Sequence, residues 1–128
     1  MVGKLLRNTK KSAAKTISNK KVTLDPDPPK SYAFCSDTVF KPSLAEQLAE
    51  VTVLYHEATF LNEHAHLCER TKHSTAAQAA EIAQLANARH LILGHYSTRY
   101  KDLEVFREEA STIFDSVHLA RDGKVFVF

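Results

Sequence analysis

The sequence has few cysteines and no long apolar run, and each shortage closes off a class of protein. Cys35 and Cys68 are its two cysteines, far apart and without a CxxC pair, so neither a zinc ribbon nor a dense disulfide framework is indicated. Isolated thiols suit a reducing cytoplasm, the localisation expected. No apolar stretch approaches the roughly 20 residues that span a bilayer, so no membrane partner is expected. Internal repeats and low-complexity tracts are lacking too. Acidic residues are missing from Met1–Lys21. With its Arg, Ser and Thr that stretch has some of the character of a transit peptide, but Lys outnumbers Arg there.

What is present is ordinary for a soluble globular chain: 128 residues, 44% hydrophobic and 25% charged, the size of one domain or of part of a larger one. The net charge of +2 conceals a division. Residues 1–30 carry eight Lys/Arg against Asp25 and Asp27, whereas residues 31–128 carry nine against thirteen acids. A basic leading segment of this kind can attract nucleic-acid phosphates, or it can be a solvated tail.

Residues 1–30 have no sustained apolar period, and Asp25-Pro26-Asp27-Pro28-Pro29 is stiff because proline fixes its own φ and restricts its predecessor. They read as an irregular lead-in. From there strands alternate with helices. Tyr32-Ala33-Phe34-Cys35 has the form of a buried strand that delivers Ser36-Asp37-Thr38 at its end. A short helix is expected over Pro42–Glu50, with Leu44, Leu48 and Val51 on one face. Val51–Tyr55 reads as a second buried strand ending in His56 and Glu57, followed by a helix reaching about Arg70. Thr75-Ala76-Ala77-Gln78 has capping-box form and opens an Ala-rich helix through Ala88, with Ile82 and Leu85 offered to the core. A third strand, Leu91–Leu93, ends at Gly94-His95. Asp102–Phe114 has helical spacing, and two short strands, Val117–Leu119 and Val125–Phe128, flank the turn Arg121-Asp122-Gly123. The pattern predicts an α/β fold.

Three successive strands thus end in metal-capable or acid/base residues: Asp37, then His56-Glu57, then His95, with His73 on an intervening loop. Strand ends grouped on one side of a sheet are where α/β folds place sites. A single histidine there has an ordinary reading as a hydrogen-bonded core residue, and the grouping is what points to a metal site. His56 is expected to pack at its strand end rather than to ligate. His64, His66, His90 and His118 lack motif context and read as surface residues, Cys35 reads as a small buried apolar residue, and Ser74 and Thr75 suffice as helix caps.

Taken in order, Ser36-Asp37-Thr38, His56-Glu57-Ala58-Thr59-Phe60, His73-Ser74-Thr75-Ala76-Ala77-Gln78-Ala79-Ala80 and His95-Tyr96-Ser97-Thr98-Arg99-Tyr100 resemble ribonuclease Z in its long-chain bacterial form, over about residues 20–128. The resemblance implies the C-terminal half of a metallo-β-lactamase-like αββα sandwich, occupying residues 31–128. It also implies a zinc-dependent endoribonuclease that removes the 3′ trailer from precursor tRNA. Asp37 is similar to the family's carboxylate that bridges two zinc ions, His95 to the histidine on the second ion, and His73 to its proton donor. Glu57 resembles the acid that orients a histidine. Arg99 and Ser97 fall to the substrate phosphate, where a guanidinium presents a planar fork of donors.

The family's HxHxDH motif, a further histidine ligand and the tRNA-gripping arm are not found in this sequence. Asp37 and His95 alone are two ligands, fewer than the roughly three plus water of a catalytic zinc. The expected partners are therefore precursor tRNA and a missing N-terminal half or second chain. The isolated chain is expected to be inactive, to bind zinc weakly, and to dimerise or fold only marginally, since Phe34, Leu54, Ile92 and Leu93 lie on strands too apolar to face water. A noncatalytic RNA-binding or structural remnant, with residues 1–30 on phosphates, is the alternative.

Overall fold

A computed structural model describes residues 14–128; most of the acid-free leading stretch lies outside them. Its described part is irregular apart from one helical turn, α1 (Asn19–Val22). There follow β1 (Tyr32–Cys35), α2 (Leu44–Gln47), β2 (Val53–Glu57), a 3-10 turn (Asn62–Leu67), α3 (Cys68–Thr71), α4 (Ala76–Leu85), β3 (His90–Gly94), α5 (Glu104–Ser111) and β4 (Val117–Leu119).

The strands form one four-stranded sheet in the order β1-β2-β3-β4, parallel throughout. All four C-terminal ends therefore open on one edge. Register sorts the side chains into two faces. Ala33, Leu54, Leu91 and Val117 make one row, and Cys35, His56, Leu93 and Leu119 the next. This face meets α4 and α5 in the core. Helix α4 can lie close because Ala76, Ala79, Ala80 and Ala83 carry almost no side chain and are buried with Ile82. Its first turn is held by the Thr75–Gln78 capping box. Glu109 of α5 accepts from Ala77 N at 3.0 Å, satisfying another helix-end donor.

The other face carries Tyr32, Phe34, Val53, Tyr55, His90, Ile92 and His118. The C-terminal segment crosses part of it. Phe128 packs on His90 and His118 with ring centroids 4.5 and 5.3 Å away. It is held there by Lys30, whose ammonium donates to the Phe128 carbonyl.

Several expectations need correction. Strand β2 starts two residues later than expected and runs on through His56 and Glu57, because both pair in the ladder with Cys35, Leu93 and Gly94. Their polarity read as a strand end, but Glu57 is buried with its carboxylate satisfied. Strand β1 is an edge, so Phe34 is 63% exposed and stacks on Tyr55 at 4.5 Å, and Cys35 is only half-buried. Leu54 and Leu93 are covered by helices, and Ile92 by the C-terminal segment. Helix α4 ends before Ala86, and Leu85, on the side opposite its buried alanines, is exposed. The helix expected to Arg70 breaks into the 3-10 turn and α3. Val125–Phe128 forms no strand; Val125 and Val127 point outward. The turn at Arg121-Asp122-Gly123 is present, closed by Lys124 N to Arg121 O at 3.0 Å, with Gly123 at φ 76°.

Candidate metal centre

Four segments leave the C-terminal edge of the sheet and are tied to one another by the backbone. Ala58 N donates to Gly94 O at 2.8 Å, Phe60 N to Ser74 O at 3.2 Å and Ser97 N to Thr59 O at 3.0 Å. Ser74 Oγ donates to Thr38 O at 2.6 Å. Asp37 and His95, immediately beyond β1 and β3, both adopt left-handed backbone, φ 50° and 59°, as does Lys72 just before His73, φ 63°. Such backbone costs energy at non-glycine residues and concentrates at functional sites.

These turns bring Asp37, His73 and His95 together, each offering a ligand atom within 4.8 Å of the others. His95 Nε2 lies 3.9 Å from Asp37 Oδ1. A carboxylate and two imidazoles, open to solvent on the Asp37 and His95 side, are a donor set that suits a divalent zinc-like cation. Asp37 and His95 were the two expected ligands. His73, expected as proton donor, stands beside them and has a ring nitrogen within reach of the same point.

Beneath them lies Glu57, fully buried. Its Oε1 accepts from Thr38 N at 2.7 Å and His73 Nδ1 at 3.0 Å; its Oε2 accepts from Thr59 Oγ1 at 2.8 Å and Ser74 N at 3.1 Å. Burial alone pushes the carboxyl pKa up. The hydrogen bonds from His73, Thr59, Ser74 and Thr38 outweigh burial and hold it below its ordinary value. Glu57 is thus an anion that knits three of the four segments and orients the His73 ring.

His56 points the other way, into the helix-covered face. It is fully buried, its Nδ1 lies 2.7 Å from Glu57 O, and its Nε2 has no partner. Burial lowers its pKa and keeps it neutral. It packs and does not reach the centre. The Arg99 guanidinium lies over the Phe60 ring at 5.2 Å, and its Nε donates to Ser97 Oγ at 3.2 Å. Phe60 in turn meets His73 edge-on at 6.3 Å, so the residues expected at the phosphate flank the centre.

Two groups escaped the sequence reading. Thr59 belongs to the His56-Glu57-Ala58-Thr59-Phe60 motif, and the sequence signal for its link to Glu57 is the two-residue spacing, which on extended backbone turns both side chains to one side. Tyr100 accepts from Leu61 N at 3.1 Å and its hydroxyl lies 2.7 Å from His64 Nδ1, so His64 is a structural residue and not a free surface one. His90 and His118 are likewise part of the packing under Phe128.

No protein-family model matches the chain. Its sequence is 46% identical over 107 residues to Ribonuclease Z of Bacteroides fragilis, an alignment covering 84% of this chain and 35% of that protein. Over that stretch the chain is similar to ribonuclease Z. Its fold is that of the metallo-β-lactamase proteins: it superposes on the metallo-β-lactamase fold protein YhfI from Bacillus subtilis with TM-score 0.70 at 24% identity, over 75% of this chain and 39% of that one. A long form RNase Z from yeast matches with TM-score 0.63 at 27% identity, over 71% of this chain and 12% of its own. The chain spans about one third the length of the curated ribonuclease Z relatives it matches. Among the described residues no helix is long and apolar enough to cross a membrane.

Proposed function

We propose that residues 31–128 are the C-terminal half of a metallo-β-lactamase-fold endoribonuclease that removes the 3′ trailer from precursor tRNA. The observation that carries this reading is the convergence of Asp37, His73 and His95 above a buried, hydrogen-bonded Glu57. Asp37 and His95 would hold zinc, together with ligands from an HxHxDH-bearing half or second chain. Bound zinc ions would supply Lewis acidity to a phosphate and a hydroxide at neutral pH. The exposed Tyr32 and Phe34 on the edge strand suit a completing half or a second copy of the chain.

The residues of this chain divide the remaining work. Glu57 accepts the Nδ1 proton of His73 and so turns Nε2 towards the centre. A second proton on Nε2 leaves an imidazolium balanced by the Glu57 carboxylate. As the bond from phosphorus to the 3′ oxygen breaks, His73 donates that proton to the departing oxygen, while hydroxide adds to phosphorus and leaves a 5′-phosphate on the trailer. Arg99, held over Phe60, meets charge on the phosphate oxygens, and Ser97 steadies the guanidinium.

The test joins this chain to a segment bearing HxHxDH, loads the product with zinc and supplies precursor tRNA. Cleavage at the trailer, lost in His73→Ala, is the expected outcome. Absence of phosphodiesterase activity above the His73→Ala background would defeat the enzyme reading. RNA binding that needs no zinc, weakens steeply with salt and vanishes on deleting residues 1–30 would instead establish a noncatalytic module.

A further inference from the structure

We infer that Thr59 is a positioning residue that sets the ring tautomer of His95 and joins it, through Glu57, to His73. The inference rests on the reading of His95 as a metal ligand, but its primary readout needs no metal. Thr59 Oγ1 lies 2.8 Å from Glu57 Oε2, 2.9 Å from His95 Nδ1 and 3.0 Å from the His95 carbonyl. A hydroxyl has one proton to give and two lone pairs with which to accept.

Of its neighbours, the buried carboxylate takes that proton most strongly, because a hydrogen bond to an ionised acceptor is about twice as strong as a neutral one. Thr59 therefore faces His95 Nδ1 as an acceptor. His95 must then carry its proton on Nδ1, which leaves Nε2, the atom turned towards Asp37, with a free lone pair. A metal takes an imidazole nitrogen only in that form. On the far side of Glu57, His73 donates from its own Nδ1 to Oε1. One buried anion thus dictates the proton positions on both rings, directly for His73 and through a single hydroxyl for His95.

The geometry requires a hydroxyl at residue 59 and tolerates loss of its methyl group. Thr59→Ser keeps the relay and Thr59→Val removes it at nearly constant shape. With Val, Nδ1 loses its acceptor and Nε2 is free to hold the proton, so the ring must re-tautomerise before it can ligate.

The experiment is long-range proton–nitrogen correlation on the nitrogen-15-labelled 128-residue chain, without metal, at about pH 8, above the ordinary imidazole titration range. In the parent chain His95 is expected as the Nδ1–H tautomer, in Thr59→Val as the Nε2–H form or a mixture, and in Thr59→Ser as Nδ1–H again. Zinc affinity by calorimetry should fall at least about 10-fold in Thr59→Val and recover in Thr59→Ser, the scale on which partners of metal ligands act. An Nε2–H tautomer in the parent chain overturns the inference by itself, whether or not Thr59→Val folds. So does an unaltered Nδ1–H signal in Thr59→Val. If the parent chain shows the tautomer pattern but the chain joined to an HxHxDH-bearing segment has no zinc affinity, the relay stands and the metal reading falls.

Discussion

Replacing Glu57 by Gln preserves shape and removes only charge and acceptor capacity, so its effect measures what the buried carboxylate contributes. In the parent chain two oxygens accept from Thr38 N, His73 Nδ1, Thr59 Oγ1 and Ser74 N. An amide group turned either way places its NH2 against a backbone N–H, that of Thr38 or that of Ser74. His73 can change tautomer and Thr59 can rotate its hydroxyl, but a backbone donor can do neither. One orphaned buried donor costs about 1–3 kcal/mol, and downgrading the remaining charge-assisted bonds to neutral ones costs about 1 kcal/mol each. The expected loss is about 3–6 kcal/mol, a large share of an ordinary domain's 5–15 kcal/mol. Urea unfolding with a chelator present would report it as a fall in midpoint of about 1 M or more, at the usual slope of about 1–3 kcal/mol per molar. Asp37→Asn is the control: its side chain is 73% exposed and should change stability by less than about 0.5 kcal/mol. A Glu57→Gln loss below about 1 kcal/mol would refute the argument that this anion organises the strand ends.

Other outcomes follow from neighbouring features. Burial lowers the His56 pKa below 6.5, so as pH falls through that value the unfolded chain takes up a proton that the folded chain refuses. Stability should decline below about pH 6.5 with a slope approaching 1.4 kcal/mol per pH unit, and His56→Leu should flatten the slope; an unchanged pH profile would contradict the assignment. The depressed Glu57 value adds a second loss below about 4.5, its ordinary value. Asp37→Gly should raise stability by up to about 1 kcal/mol, since glycine accepts φ 50° freely, while abolishing zinc binding in calorimetry. A Cβ at Gly94 would collide with the Tyr55 hydroxyl and ring, so Gly94→Ala should cost about 1–3 kcal/mol in thermal unfolding, and no shift would mean that the Tyr55 ring moves freely.

The sequence made the sheet and the centre legible to different depths. Strand β1, the capping box at Thr75 and the order of the motif residues could be read directly, because apolar runs and helix caps are local signals. Strand β2 could not be delimited, since a buried His-Glu pair looks like a strand terminus until its partners are known. Those partners, Thr38 and Ser74, lie far along the chain. Exposure of Phe34 depended on β1 being an edge, which is a property of strand order. Leu85 falls outside the core because it lies on the side of α4 opposite the buried stripe of Ala76, Ala79, Ala80 and Ala83. His73 was assigned a role from its motif alone, and its closeness to Asp37 and His95 arises only when three separate loops fold over one edge.

An all-parallel sheet has no hairpins, and neighbouring strands meet only after a long connection has closed. Nothing in the Asp37, His73 and His95 cluster can form while the chain is partly ordered: Asp37 waits for β1 to dock on β2, and His95 waits for β3. Pairing of this kind is slow, because loop-closure entropy is lost before the contacts compensate. The cluster should therefore appear in the last phase of folding, and a metal-sensitive signal at His95 would serve as a clock for completion of the sheet rather than for collapse of the core.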